Sequence, residues 1–117
     1  MEKTDVVTAL AALAQDNRLD IYRLLVQAGR DGMAAGEIAE RLAIAPNTLT
    51  FHFDRLRHAG LVSVRREGRS MIYTAQYERM NGLVAFLTEN CCQGVPSDCA
   101  TPGCTPKSQR TRAKERV

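Results

Sequence analysis

The stretch from Ala45 to Tyr73, APNTLTFHFDRLRHAGLVSVRREGRSMIY, narrows the folds open to this chain more than any other. Pro46 suits the first position of a helix, where its missing N–H is not needed. Leu49, Phe53 and Leu56 then recur at helical spacing, and Gly60 ends the run, which predicts a helix over about 46–58. Leu61, Val62 and Val64 begin a strand, Arg66-Glu67-Gly68-Arg69 makes a hairpin tip, and Met71, Ile72 and Tyr73 return it. A polar-fronted helix running directly into an arginine-tipped hairpin is the order of a winged helix-turn-helix. In that arrangement one helix enters the DNA major groove and the hairpin lies against the phosphates.

The remaining segments fit the same architecture. Val6, Val7, Leu10, Leu13 and Ala14 predict a first helix over about 4–14. Asp16 is the expected N-cap of a second, with Leu19, Tyr22, Leu25 and Val26 on its inner face and Gly29 as its stop. A turn, RDGM, precedes a third helix over about 35–42 that carries Ile38, Ala39 and Leu42 inward; Ala43-Ile44-Ala45 turns the chain into the fourth. Tyr77, Met80, Leu83, Val84 and Leu87 predict a fifth helix over about 76–90. The expected fold class is therefore α+β and mostly helical, with four helices, a two-stranded wing and a final helix. Residues 1–90 form the expected DNA-binding and dimerisation domain, 91–104 a cysteine-rich sensing segment, and 105–117 a basic tail too poor in apolar residues to fold.

Charge is segregated along the chain. Residues 45–70 carry five basic and two acidic side chains, and residues 105–117 carry five and one, whereas residues 1–44 carry five and seven. Positive charge thus falls on the expected reading helix, wing and tail, which suits a polyanionic partner. No run is long enough to span a membrane and the N-terminus lacks a secretory pattern, so a cytoplasmic protein without membrane contact is expected. No Ser/His/Asp set or phosphate-binding glycine loop is present, and both histidines lie on one predicted helix, so an enzyme is not expected.

With Leu49, Phe53 and Leu56 inward, the fourth helix should turn Asn47, Thr48, Phe51, Asp54, Arg55 and His58 outward, with Thr50 and His52 on its flanks. Asn can pair with adenine, and Thr or Phe can meet a thymine methyl. The expected DNA-contacting residues are Asn47, Thr48, Thr50, Phe51, His52 and Arg55 on the helix, with Arg66 and Arg69 on the wing. His58 reads better as a solvated or capping histidine.

These residues, together with LAALAQDNRLDIYRLL, GEIAERL, TLTFHFDRLRHAGLV and RREGRSMIY, resemble the ArsR/SmtB family of metal-responsive repressors from about Val6 to Glu89. The resemblance implies a homodimer that leaves operator DNA when its inducer binds. It places Thr50 and His52 at the family's operator-contacting pair. It also implies a dimer interface on the first and last helices, here Val6, Leu10, Leu13, Met80, Leu83 and Leu87. Two-fold symmetry would set the two reading helices about 34 Å apart, one turn of DNA. The chain departs from the family at its inducer sites: the helix before the reader, GMAAGEIAERL, has no cysteine, and the last helix, YERMNGLVAFLTEN, has no histidine.

Four thiols therefore stand as the candidate sensor: Cys91, Cys92, Cys99 and Cys104, all within CCQGVPSDCATPGC. Successive side chains on a helix diverge by about 100°, so Cys91 and Cys92 can share an ion only if the helix ends there. Gly94 and Pro96 provide an ending, and the short loop lets Cys99, or Cys104 in its place, fold back. Trivalent arsenic or antimony suits three thiolates as an inducer, with no organic cofactor expected. Four thiolates around zinc would leave a net negative charge where Met80 to Pro106 offers no Lys or Arg. A soft divalent metal, structural zinc and thiol oxidation remain the alternatives.

Overall fold

The computed structural model of the chain describes residues 1–94. Its elements run α1 (Lys3–Leu13), α2 (Asp16–Ala28), β1 (Met33–Ala34), α3 (Ala35–Leu42), α4 (Pro46–His58), β2 (Val62–Glu67), β3 (Ser70–Ala75) and α5 (Tyr77–Thr88), followed by a 3-10 turn over Cys91–Gly94. This is the expected mostly helical α+β winged helix-turn-helix. Residues 2–79 form one compact unit, and Met1 with the described residues from Met80 on another. Among the described residues, no helix is long and apolar enough to cross a membrane.

The first unit is built on an aliphatic core. Ile21, Leu25, Ile38, Leu56 and Leu61 are fully buried, and Phe53 stacks on Tyr73 with ring centroids 3.6 Å apart and planes 14° apart. Burial pushes the Tyr73 phenol above its ordinary pKa and lifts that of Tyr22 to about 12. Helix α2 is capped by Gln15, whose Oε1 accepts from the Arg18 backbone N–H at 3.0 Å; Asp16, the expected cap, is instead the first helical residue. The inner face of α2 also differs from expectation. Ile21, Tyr22 and Leu25 are buried, and Leu19, about 200° around the helix from Ile21, is 45% exposed.

Helix α1 buries small residues. Val6, Ala9 and Ala12 face the core, which leaves Val7 at 58% and Leu10 at 41% exposed.

The sheet has three antiparallel strands in the order β1-β3-β2, one more than expected. Strands β2 and β3 pair from Val62 opposite Ala75 to Glu67 opposite Ser70, and the two-residue β1 pairs Met33 with Tyr73 and Ala34 with Ile72. Gly32 makes that third strand possible. Its φ is +73°, and a Cβ there would run into the Tyr73 carbonyl oxygen. Tyr77 ties the start of α5 to α2 by donating its phenolic hydrogen to the Val26 carbonyl at 3.0 Å.

Candidate nucleic-acid interface

The turn between α3 and α4 sets how the reader leaves the core. Ala43 is left-handed, with φ 54° and ψ 47°, a conformation that costs an alanine about 1–2 kcal/mol. Ile44 offsets this by burying its side chain and donating its backbone N–H to the Ala39 carbonyl at 3.1 Å. Pro46 then opens α4 at a position where no N–H is required.

Helix α4 buries Leu49, His52, Phe53 and Leu56. Asn47, Thr48, Thr50, Phe51 and Arg55 are exposed together on the opposite side. Phe51 is 52% exposed, and the Arg55 guanidinium lies 5.2 Å from its ring centroid. That cation–π contact holds an apolar plate and a guanidinium side by side on the solvent face. Thr50 donates its hydroxyl to the Pro46 carbonyl at 3.0 Å and keeps oxygen lone pairs for a donor outside. His58 sits in the last turn with Nδ1 2.7 Å from the Asp54 carbonyl, so that nitrogen is the donor.

One expected groove contact is corrected. His52 is 5% exposed and points into the protein, where its Nδ1 lies 3.4 Å from Arg18 Nη1. The reason is helical geometry: positions 49, 52, 53 and 56 form one stripe, so burying the other three buries the histidine. Burial first, and the Arg18 charge second, hold its pKa below the ordinary value.

On the wing, Gly68 takes a φ of +62° at the tip, and Arg66 Nε donates to its carbonyl at 3.1 Å. Arg66 and Arg69 are exposed. Arg65, which sequence reasoning passed over, braces the wing from its other face. It donates to Glu67 Oε2 at 2.6 Å, to Thr74 Oγ1 at 3.3 Å and to the Asp31 carbonyl at 2.8 Å. Two-residue alternation along β2 was the available signal, because it puts Arg65 with Glu67 opposite Arg66. The arrangement predicts that Arg66→Ala/Arg69→Ala weakens binding to all duplex sequences alike. The slope of log affinity against log salt should flatten by roughly two. Binding isotherms at several salt concentrations check this, and an unchanged slope would remove the wing from the phosphate contact.

The other predicted residues are placed as follows. Leu10 and Leu87 are exposed, Leu13 and Met80 are half-buried, and Leu83 is buried. Val6 and Leu83 are only 3% and 7% exposed within a single copy, which corrects their expected place at a dimer interface; Val7, next to Val6, is on the open face of α1. Helix α5 ends at Thr88, Asn90 is left-handed with φ 59°, and the 3-10 turn starts at Cys91. Cys91 is half-buried and Cys92 exposed, the latter with φ 54°. Cys99, Cys104 and the basic tail lie outside the described residues. Among the described residues no three His, Cys, Asp or Glu side chains are grouped as metal ligands.

Comparison with known proteins agrees with this geometry. A family model described as a helix-turn-helix domain matches residues 13–65. The transcriptional activator HlyU of Vibrio cholerae is 30% identical over 95 residues, covering 80% of this chain and 85% of that protein. An ArsR-like transcriptional regulator from Rhodococcus sp. RHA1 superimposes with a TM-score of 0.63 at 27% identity, over 72% of this chain and 76% of the other. The homodimeric winged helix-turn-helix DNA-binding domain of Mb0332 from Mycobacterium bovis, a possible ArsR-family regulator, gives a TM-score of 0.61 at 27% identity over the same shares. The exposed polar face of α4, the arginine-tipped wing and these relatives together place the chain in the ArsR/SmtB family of winged-helix, DNA-binding transcription regulators.

Proposed function

We propose that the chain is a homodimeric repressor that binds operator DNA through α4 and the wing and releases it when trivalent arsenic or antimony binds thiolates after α5. The observation that carries the metalloid reading is the break in the helix immediately before Cys91 and Cys92. A continued helix would have aimed these neighbours about 100° apart; the left-handed backbone of Asn90 and of Cys92, with φ 59° and 54°, releases the two thiols from that fixed spacing. The third thiolate comes from Cys99, or from Cys104 in its place.

Binding exchanges three hydroxyls of arsenous acid for three sulfurs. Three As–O bonds are replaced by three As–S bonds, each thiol proton leaves with a hydroxide as water, and no oxidation state changes. The product is neutral, which suits a segment without nearby Lys or Arg.

Homodimerisation is supported by the side chains that single-copy packing leaves out. Val7 and Leu10 on α1, and Val84, Phe86 and Leu87 on α5, are exposed. Apolar stripes of this kind fit a two-fold contact. Mb0332, a structural relative, is a homodimer. Capture of the inducer at the end of α5 would reshape that contact and shift the separation of the two readers. Couplings of this kind are typically about 1–3 kcal/mol.

Titrating a complex of the reduced protein and its own upstream DNA with arsenite, antimonite, zinc and cadmium tests ligand choice. Arsenite and antimonite should dissociate it at the lowest concentrations. Release by zinc or cadmium at lower concentrations would replace this inducer with a divalent one.

A further inference from the structure

We propose that His52 is a positioning residue and not a base reader: together with Arg18 it forms a strut that fixes the reading helix α4 against the α1–α2 corner. The inference rests on α4 being the DNA reader. A guanidinium has donors only, so the His52 Nδ1 facing it at 3.4 Å must present a lone pair, which places the ring proton on Nε2. At its other end Arg18 donates Nε–H to the Ala12 carbonyl at 2.6 Å, an acceptor that the end of α1 leaves without an intrahelical partner. Its backbone N–H is held by Gln15 Oε1 at 3.0 Å. One residue thus links the end of α1, the start of α2 and the middle of α4.

Apart from the phenols of Tyr22 and Tyr73, His52 is the one buried polar side chain among the described residues. Burying a polar ring in an aliphatic core is unfavourable unless it is hydrogen-bonded, and a leucine would fill the stripe without that cost. The strut accounts for a histidine at this position.

The same geometry makes the strut sensitive to protons. Around the ring, α2 contributes the Arg18 cation, α1 the Ala12 carbonyl through Arg18, and α4 the edge of Phe51 with centroids 5.7 Å apart. Carboxylates on the surrounding elements point elsewhere. Asp16 and Asp20 are exposed, Glu37 pairs with Arg41, Asp54 with Arg57, Glu67 with Arg65, and Asp5 faces Arg79. Protonation of Nδ1 removes the lone pair and sets a second cation against the guanidinium. Arg18 borders a cleft of about 520 Å³ between α1 and α4 into which it can swing. The strut then opens and operator affinity falls as the pH falls. Folding lowers this pKa, so the unfolded chain takes the proton first, and stability also declines as pH drops below 6.5. His58, exposed on the same helix, is the second imidazole of the chain and is removed so that any pH response is read from His52.

The test therefore uses a His58→Gln background and measures operator affinity by fluorescence anisotropy from roughly pH 8 to pH 5.5. The background should lose affinity about fivefold or more on acidification. Adding His52→Asn, whose Oδ1 can accept from Arg18 but does not titrate, should preserve affinity at the alkaline end and abolish the acid loss. Adding His52→Leu, confirmed folded by circular dichroism, should weaken binding about five- to tenfold even there. Long-range proton–nitrogen spectra of the free protein should show Nδ1 bare and Nε2 protonated at neutral pH. An unchanged acid loss in His52→Asn, full affinity in His52→Leu, or a proton on Nδ1 would each overturn the strut. A background protein that binds at no pH would contradict the DNA reading instead, and the nitrogen spectrum would then decide the strut alone.

Discussion

Phe53→Ala is expected to cost about 3–5 kcal/mol of folding stability, a large share of the roughly 5–15 kcal/mol that holds a domain together. Phe53 is 2% exposed and lies flat on Tyr73, whose backbone pairs with Met33 on one side and Val64 on the other. One ring therefore joins α4 to all three strands. With three Phe, three Tyr and no Trp in the chain, no other aromatic pair can replace it cheaply. Truncation leaves a cavity under the reading helix, so operator binding should fall with stability. Phe53→Leu, which keeps most of the volume, should cost less than about half as much. Urea unfolding followed by circular dichroism measures both. A loss below about 1 kcal/mol for the alanine would show that this stack does not organise the core.

The second large effect concerns the inducer and not the fold. Cys91→Ser/Cys92→Ser should bind operator within about twofold of the parent protein and lose its response to arsenite. The affinity ratio without and with arsenite should collapse from about 5–150 to about one. Serine keeps the shape of cysteine, but its hydroxyl remains protonated and is a hard donor where a soft thiolate is needed. Both positions lie after α5, outside the unit formed by residues 2–79, so the reader and wing are left intact. Release by arsenite as in the parent would clear both thiols of the role.

How much of this was legible in the sequence varied with the strength of the local signals. The bounds of α3 and α4 follow from strong punctuation: Ala43 to Pro46 interrupts the periodicity, and Gly60 ends it. Strand β1 was not legible, because two residues carry no periodicity and its pairing with β3 is a tertiary event. In α1, alanines at 9 and 12 could serve either face, so the larger Val and Leu residues misled the assignment of its inner side. His52 was misplaced for a different reason. Its place on the flank of the helix and the family resemblance argued for the groove while its spacing from Leu49 and Leu56 argued for the core, and the spacing won. Arg65 was overlooked because its three acceptors, Glu67, Thr74 and the Asp31 carbonyl, meet only when the hairpin has folded.

The most direct measurement is the dissociation constant of the reduced protein for a duplex from its own upstream region, taken before and after loading with stoichiometric arsenite, with loading monitored by loss of free thiols. Loading is expected to raise that constant about 5–150-fold. An unchanged constant with the thiols demonstrably occupied would contradict the link between metalloid capture and DNA release.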